Sequence, residues 1–293
     1  MFASFNPGHV GIKGLSLREG LALAERHGFA GFDAQLIPLH EEVTRHGAAA
    51  VRELFLAHGL RCGAWNLPFM PYAVTEAEWR GWLAKLPPLL ATAQTLGAQR
   101  AGMWIFPGSN ERAHEENFAF HVARFEPAAR LLADHGIRLG LEFIGPATFL
   151  RQFKFPFVRS VAATRELARA IGPNCGQLLD TYHWHCAGGT RADLRGLTRD
   201  ELVHIHINDA PVGPPLDQLL DGARRLPGAT GVIDLDGFMQ ALAGAGYDGP
   251  VTAEPFDAEV SALPAEEAAA RTAKATRAAV ARARVSSPSA DQP

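Results

Sequence analysis

In RLGLEF (138–143), GQLLD (176–180), VHIHI (203–207) and VTAE (251–254), a short apolar run carries an ionisable residue at or near its end. Successive side chains of a β-strand point to opposite faces, so such runs predict strands with an apolar face against helices. In the first run Gly140 and Glu142 share the other face, and in the third run His204 and His206 do. The ionisable residues nearest the strand ends are therefore Glu142, Asp180, His206 and Glu254.

Four more strand-like runs lie upstream, so the chain is predicted to contain eight strands. Their predicted bounds are 2–5, 31–35, 60–65, 100–106, 137–143, 176–180, 203–207 and 251–254. Successive strands start about 27 to 48 residues apart, which leaves room for the crossover helix that a parallel connection requires. Helices are predicted between them at 17–27, 51–58, 76–96, 115–135, 160–171 and 235–245, and several of them end at a glycine.

Eight strand–helix units in 293 residues predict an α/β fold, a single (β/α)8 TIM barrel, because such a barrel takes roughly 250 residues. A flavodoxin-like or Rossmann sheet is the structural alternative, but no GxGxxG follows the first strand. An Ala- and Arg-rich run at 265–284 is predicted to be the last barrel helix. The predicted barrel domain covers residues 1–284, and the Ser- and Pro-rich segment 285–293 is predicted to be a flexible tail.

The composition excludes several classes of protein. Apolar residues make up 47% of the chain and charged residues 20%, which is enough to bury a core. The 28 basic and 31 acidic residues give a net charge of −3 without a basic run, which argues against binding to nucleic acid. No stretch reaches the roughly 18 apolar residues of a membrane span, and the three scattered cysteines suit a reducing compartment. We therefore expect a cytoplasmic protein that does not associate with membranes.

The four ionisable residues at the strand ends are expected to converge, because active sites of TIM barrels lie at the carboxyl ends of the strands. Three carboxylates repel one another in a dry pocket, and a divalent cation would remove that repulsion. Oxygen ligands with one imidazole suit Mn2+, Mg2+ or Co2+, with Zn2+ as a further candidate. A single acid at a strand end is more often a helix cap or loop residue, but repetition on four consecutive strands predicts one metal site.

With these residues the chain resembles the xylose isomerase-like TIM barrels, and within them the sugar phosphate isomerase/epimerase family. The similarity lies in LEFIGP (141–146), LLDTYHWHCAGGT (178–190), VHIHINDAP (203–211), RRLPGATGVIDL (224–235) and GYDGPVTAEPF (246–256), together with GFDAQL (31–36). The resemblance implies one divalent metal held by Glu142, Asp180, His206 and Glu254. It also implies that His183 and an arginine after the seventh strand contact the substrate, and we assign the latter role to Arg225 rather than Arg224.

Other branches of the superfamily differ from this chain. Endonuclease IV-like enzymes bind three zinc ions with additional histidines after strands three and four, where this chain has AWNLPF (64–69) and MWIFPG (103–108). The missing histidines and the net charge together argue against a DNA-repair function. Relatives often carry a glutamate at the position of Gln35 and an aromatic residue at that of His185, and these departures concern the substrate more than the reaction class.

The resemblance implies a metal-dependent isomerase or epimerase that acts on a small carbohydrate or polyol ketone through an enediolate. Glu142 is predicted to remove a proton, and Glu254 to return one to the same or the neighbouring carbon. A dehydratase of the inosose or dehydroshikimate type needs the same groups and is the alternative reaction. A sugar-binding protein without catalysis is the alternative from another class, and the sequence leaves open whether the chain forms a homo-oligomer.

Further features bear on the predicted barrel mouth. Trp65, Trp104 and Phe106 could form an apolar wall for the substrate or could simply be packed. The segment 146–159 could close over the site or lie against the barrel rim. None of the four lysines falls in a predicted strand, so a Schiff-base aldolase has no nucleophile in place.

Overall fold

A computed structural model describes residues 1–283 as a barrel of parallel strands surrounded by helices. Its strands are β1 (Phe2–Phe5), β2 (Gly31–Phe32), β3 (Arg61–Cys62), β4 (Trp65–Asn66), β5 (Arg100–Ile105), β6 (Gly108–Ser109), β7 (Arg138–Phe143), β8 (Phe155–Pro156), β9 (Cys175–Asp180), β10 (Leu202–Ile207) and β11 (Pro250–Ala253). All belong to one parallel sheet except β6 and β8, which pair with each other in an antiparallel sheet. The α/β barrel prediction is confirmed. The predicted tail at 285–293 lies outside the described residues.

Helices follow most of the barrel strands. Within residues 1–283 they are α1 (Leu17–Arg26), α2 (Leu36–His46), α3 (Ala48–Ala57), α4 (Glu76–Leu96), α5 (His114–Asp134), α6 (Ala147–Leu150), α7 (Val161–Ile171), α8 (Thr181–Cys186), α9 (Arg191–Leu194), α10 (Leu235–Gly244), α11 (Ala258–Ser261) and α12 (Ala265–Arg282). Helix α2 was not predicted, although Pro38 in its first turn is compatible with a helix start. Nowhere in residues 1–283 is a helix both long and apolar enough to cross a membrane.

The barrel closes through its third strand. The order of strands in the sheet is β3-β2-β1-β11-β10-β9-β7-β5-β4, and the two outermost members are neighbours in the chain. The predicted strand at 60–65 is thus split: β3 pairs with β2, whereas β4 pairs with β5, with Trp65 beside Ala101. We call the short segment between the two halves, Gly63 and Ala64, the strand break.

The carboxylate of Asp33 occupies the strand break. Its Oδ1 accepts hydrogen bonds from Ala64 N at 2.9 Å and Ser4 Oγ at 2.5 Å, and its Oδ2 accepts one from Thr252 Oγ1 at 2.6 Å. A Cβ atom on Gly63 would overlap Asp33 Oδ1 and Ser4 Oγ, so the break requires glycine. A buried side chain from β2's end therefore explains why the third strand does not run continuously.

The segment 146–159 lies against the rim of the barrel mouth. It contains α6 and β8, and β8 pairs with β6. Thr148 Oγ1 donates a hydrogen bond to Leu219 O at 2.7 Å, and Arg151 pairs with Asp217 at 2.7 Å. These contacts hold the segment beside the long connection between β10 and α10.

Candidate active site

The structure brings the four predicted metal ligands together at the carboxyl end of the barrel. Glu142 lies on β7, Asp180 ends β9, His206 lies on β10 and Glu254 follows β11. The register places Asp180 beside His206 on β9 and β10, and His206 beside Thr252 on β10 and β11. One ligand atom of each of the four residues lies within 4.8 Å of the others, and all four residues are buried. We call these four residues the acidic cluster.

His206 is at the centre of the acidic cluster. Its Nδ1 lies 3.2 Å from Glu142 Oε1, 3.3 Å from Glu254 Oε2 and 4.0 Å from Asp180 Oδ2. Ligands bound at about 2.0–2.2 Å from one ion lie at most about 4.4 Å apart, which is close to the observed spacing. Three carboxylates and one imidazole that face a common point are donors that a divalent cation uses. The residues therefore fit the predicted metal ion.

The ionisation of the acidic cluster reflects its burial. Burial raises the pKa of Glu142 from 4.5 to about 7, and His206 only partly offsets that effect. Burial favours the neutral ring of His206, but the charges of Glu254 and Glu142 outweigh burial and raise its pKa well above 6.5. Burial also opposes ionisation of Glu254, yet the cations beside it, His206 first, hold its pKa well below 4.5. Binding of a cation would therefore displace protons from Glu142 and His206.

Arg224 is buried against the acidic cluster. Its Nη1 donates to Glu254 Oε2 at 2.7 Å and to Asp180 Oδ2 at 3.2 Å, and its Nη2 donates to Asp221 Oδ1 at 2.9 Å. Burial acts against the charge of Arg224, but these carboxylates raise its pKa above the usual arginine value. A permanent positive charge thus lies beside the predicted metal ligands.

Arg225, to which the substrate contact was assigned, lies elsewhere. Its Nη1 donates to the carbonyl of Arg224 at 2.8 Å, and its backbone pairs with that of Asp209. Neighbouring residues in an extended segment point to opposite sides, so the choice between two adjacent arginines depends on a loop register that the sequence does not reveal. Of the two adjacent arginines, Arg224 and not Arg225 contacts the acidic cluster.

His183 lies beside Arg224 because Asp180 begins helix α8. Asp180 Oδ1 accepts hydrogen bonds from Tyr182 N at 2.6 Å and His183 N at 2.9 Å, which fixes the first turn of that helix. Gly145 N donates to His183 Nδ1 at 3.2 Å, and a Cβ on Gly145 would overlap the His183 backbone. Burial, assisted by the charge of Arg224, lowers the pKa of His183 well below 6.5, so the ring is neutral.

A cavity of about 390 Å³ opens over the acidic cluster. Beside the polar residues, its wall contains the apolar side chains of Trp104, Ile144, Phe149 and Phe256. Trp65 does not line this cavity: it is buried and donates from Nε1 to Ala98 O at 2.8 Å. Of the two tryptophans predicted to contact substrate, the structure therefore places only Trp104 at this cavity.

His9 also faces the acidic cluster, and the sequence analysis did not identify it. It lies in the turn after β1, and its Nε2 is 3.2 Å from Glu254 Oε1 and 3.0 Å from Asn6 Nδ2. A signal was present, because β1 is also a barrel strand and His9 follows its end within four residues. Of the two residues noted as departures, Gln35 is exposed at the start of α2 and His185 is half-buried on α8.

The comparisons with known proteins identify the family. The family model described as xylose isomerase-like TIM barrel matches residues 21–279. The inosose isomerase of Bacillus velezensis is 26% identical over 272 residues, which cover 92% of this chain and 93% of that protein. Shorter matches include the L-ribulose 3-epimerase of Methylomonas sp., 27% identical over 58% of this chain and 52% of that protein. The 3-dehydroshikimate dehydratase of Pseudomonas putida is 26% identical over 48% of this chain and 22% of that protein. These activities agree with the predicted isomerase or epimerase and with the alternative dehydratase.

Solved structures agree with this result. A xylose isomerase domain protein from Alicyclobacillus acidocaldarius superposes with a TM-score of 0.84 at 30% identity and covers 97% of this chain and 99% of its own. A crystal structure of an IOLI protein with a binding zinc atom has a TM-score of 0.80 at 24% identity, with 96% of this chain and 99% of that one covered. The chain belongs to the xylose isomerase-like TIM barrel family, as its strand-end residues and its fold indicate.

Proposed function

We propose that the protein is a divalent-metal-dependent isomerase or epimerase that acts on a sugar or polyol ketone. The observation that carries the proposal is the convergence of three carboxylates and one imidazole, all of them on buried residues, on a single point beneath an open cavity. The relatives named as inosose isomerase and L-ribulose 3-epimerase support this reaction class.

The acidic cluster is the proposed metal site, with Glu142, Asp180, His206 and Glu254 as its ligands. Mn2+, Mg2+ and Co2+ suit an oxygen-rich set, and the zinc atom in the IOLI structure supports Zn2+ as a further candidate. When bound, such an ion supplies positive charge beside a substrate carbonyl oxygen, which makes the hydrogen on the adjacent carbon easier to remove.

Glu142 and Glu254 are the proposed proton-transfer residues. Each has a carboxylate oxygen within 3.3 Å of His206 Nδ1, so both face the same region of the cavity. We assign removal of the proton to Glu142 and its return to Glu254. Return to the same carbon gives epimerisation, and return to the neighbouring carbon gives isomerisation.

Arg224 and His183 are the proposed contacts to substrate oxygens. Gly145 N–H points at Nδ1 of His183, and Nη2 of Arg224 lies 3.2 Å from Nε2 of the same ring. A neutral imidazole accepts at one nitrogen only, so in the tautomer that Gly145 favours the Nε2 of His183 carries a hydrogen and cannot accept from Arg224. Nη2 of Arg224 donates one hydrogen to Asp221 Oδ1 and turns its second hydrogen towards the same space as the Nε2 hydrogen. A substrate hydroxyl or enediolate oxygen would accept from both, and the Trp104 and Phe149 side chains would exclude water from the same space.

Deuterium exchange tests this proposal. We expect the manganese-loaded protein to catalyse the exchange of deuterium from heavy water into at least one ketose or inosose, at the carbon beside the carbonyl group. Glu142→Gln should lower the exchange rate at least about 100-fold, because it removes the base but changes little in volume. Glu267→Gln, which changes a surface carboxylate on α12, is the matched control and should leave the rate unchanged. Exchange that persists in Glu142→Gln would assign the base elsewhere.

A dehydratase is the second candidate, because elimination of a β-hydroxyl starts with the same proton removal. The dehydroshikimate dehydratase of Pseudomonas putida supports it. The same incubations separate the two reactions: a dehydratase produces an enone that absorbs in the ultraviolet, whereas an isomerase or epimerase labels a product of unchanged mass apart from deuterium. A protein that binds the sugars without exchange or enone formation would be the non-catalytic alternative.

We also propose that the protein acts in the cytoplasm on small carbohydrates. All three cysteines are free thiols, which supports a reducing compartment. Fractionation of the source cells, with the protein recovered beside a cytoplasmic marker, is the measurement that checks the location.

A further inference from the structure

A second cavity, of about 450 Å³, lies at the end of the barrel opposite the acidic cluster. We call it the lower cavity. It is bounded by the starts of β1, β3, β5 and β11 and by the ends of α3 and α4. It follows from the split third strand: β3 pairs with β2 while only β4 pairs with β5, which leaves space between β3 and the start of β5.

The lower cavity has an excess of positive charge. It is lined by the guanidinium-bearing residues Arg52, Arg61 and Arg100 and by one acidic residue, Asp248. Arg100 pairs with Asp248 at 3.0 Å, so these two charges balance. Arg52 donates a hydrogen bond to the carbonyl of Thr95. The guanidinium carbon of Arg61 lies 3.7 Å from the centre of the Phe2 ring. Neither of these two arginines makes an ion pair within residues 1–283.

The backbone adds a donor to the lower cavity. Arg61 N donates to Ala30 O at 3.2 Å, and Gly63 N donates to Phe32 O at 2.9 Å, so both face β2. Alternate N–H groups of a strand point to opposite sides, and Cys62 N–H therefore points away from β2 towards the start of β5. A peptide N–H beside two guanidinium groups is an arrangement that binds oxyanions.

Another part of the lower cavity's wall is apolar, with the side chains of Phe55, Leu60 and Leu96, and the polar Gln99 also lines the cavity. A bare inorganic ion would leave this surface in contact with water, whereas an organic group would cover it. We propose that the lower cavity binds a small organic oxyanion, a phosphate or a carboxylate, whose charged group contacts Arg52, Arg61 and the Cys62 N–H. Its carbon skeleton packs against the apolar wall.

Calorimetric titration of the metal-loaded full chain tests this site with three probes. Phenyl phosphate and benzoate carry the two oxyanions on one ring, and benzyl alcohol is the neutral analogue. We expect at least one of the anions to bind, with the better of the two identifying the oxyanion, and benzyl alcohol to bind at least about tenfold more weakly. Equal affinity for the neutral analogue would mean that the lower cavity selects apolar groups only.

Leu56 offers a matched pair of variants that locates the binding. It lines the lower cavity from α3 and is 62% exposed, so a charged side chain is tolerated there. Leu56→Lys should raise the anion affinity and Leu56→Glu should lower it, with about tenfold between the two. An anion bound at the metal end would respond to neither, and equal affinities in both variants would overturn the proposal.

Arg61→Gln tests the proposed contact directly and should weaken anion binding at least about tenfold. Arg271→Gln on the outer helix α12 removes the same charge far from the lower cavity and is the control. This variant should bind the anion with the affinity of the unaltered chain. Binding that survives Arg61→Gln unchanged would contradict the proposed role of this arginine.

Discussion

Arg224 carries its charge in a place where water cannot screen it, between Asp180 and Glu254 and beside His183. In the proposed mechanism it donates to a substrate oxygen. Arg225 has the same charge but lies beside the Asp209 backbone. The two adjacent arginines therefore form a natural control for each other.

We expect Arg224→Gln to lower kcat/KM for the exchange reaction at least about 100-fold, because a charged donor to the transition state is lost. Arg225→Gln should remain within about threefold of the unaltered enzyme. Steady-state kinetics at saturating Mn2+ measures both. An equal loss in the two variants, or a larger loss in Arg225→Gln, would restore the assignment made from the sequence.

Residues at or directly after strand ends could be predicted from the sequence, whereas the residues in longer connections were misassigned or missed. Glu142 and His206 followed from the alternation of side chains on a strand, which holds wherever a strand forms. Arg224 and His9 lie in connections, where backbone direction depends on tertiary contacts. Trp65 shows a related limit, because an aromatic residue near a strand end can turn away from the barrel mouth, as its hydrogen bond to Ala98 O in the connection between α4 and β5 shows.

Among the elements, the split third strand has the largest effect on the architecture. The sequence predicted one strand at 60–65, because its apolar pattern is continuous through Gly63. The cause of the split is a side chain from β2's end, Asp33, and such a long-range contact leaves no mark in the local pattern. Helix α4, by contrast, was predicted with the bounds that the structure shows. Both of its ends are set locally, by a capping box of Thr75 and Glu78 and by Gly97 after its last residue.

We expect Gly63→Ala to destabilise the protein by about 1–3 kcal/mol, because the added methyl group overlaps Asp33 and Ser4. Gly81→Ala is the matched control, since Gly81 lies on α4 with open space around its Cβ position. That change should be neutral or stabilising by up to about 1 kcal/mol. Urea denaturation of both variants measures the free energies of unfolding. Gly63→Ala protein as stable as Gly81→Ala protein would refute the packing argument.

On the scale of the whole molecule, metal binding and folding are coupled through protons. The pKa of Glu142 is raised to about 7 and that of His206 is raised well above 6.5. Groups whose folded-state pKa is raised stabilise the fold below their unfolded pKa and lose that contribution as pH rises through the folded value. The metal-free protein should therefore lose stability between about pH 4.5 and pH 7 through Glu142, and from about pH 6.5 upwards through His206.

A cation reverses this trend, because it takes the place of the protons and binds more tightly as they leave. We expect a fixed excess of Mn2+ to raise Tm more at pH 8 than at pH 6. In terms of the free energy of unfolding, the stabilisation by Mn2+ should grow by up to about 1.4 kcal/mol for each displaced proton and each pH unit. Calorimetric scans with Mn2+ and with a chelator measure the difference. In Glu142→Gln the rise in Tm caused by Mn2+ should depend less on pH. If that rise were the same at pH 6 and pH 8 in the unaltered chain, the coupling would be contradicted.

The two oxygens of Asp180 have separate partners: Oδ1 accepts the N–H groups that begin α8, and Oδ2 faces the acidic cluster and Arg224. The side chain therefore loses its torsional freedom when the chain folds, before any ion arrives. An ion that binds to Oδ2 meets a ligand already immobilised, so little further conformational entropy is lost at this position. Asp180 is in this sense the preorganised residue of the acidic cluster, because its role as the N-cap of α8 already fixes its side chain.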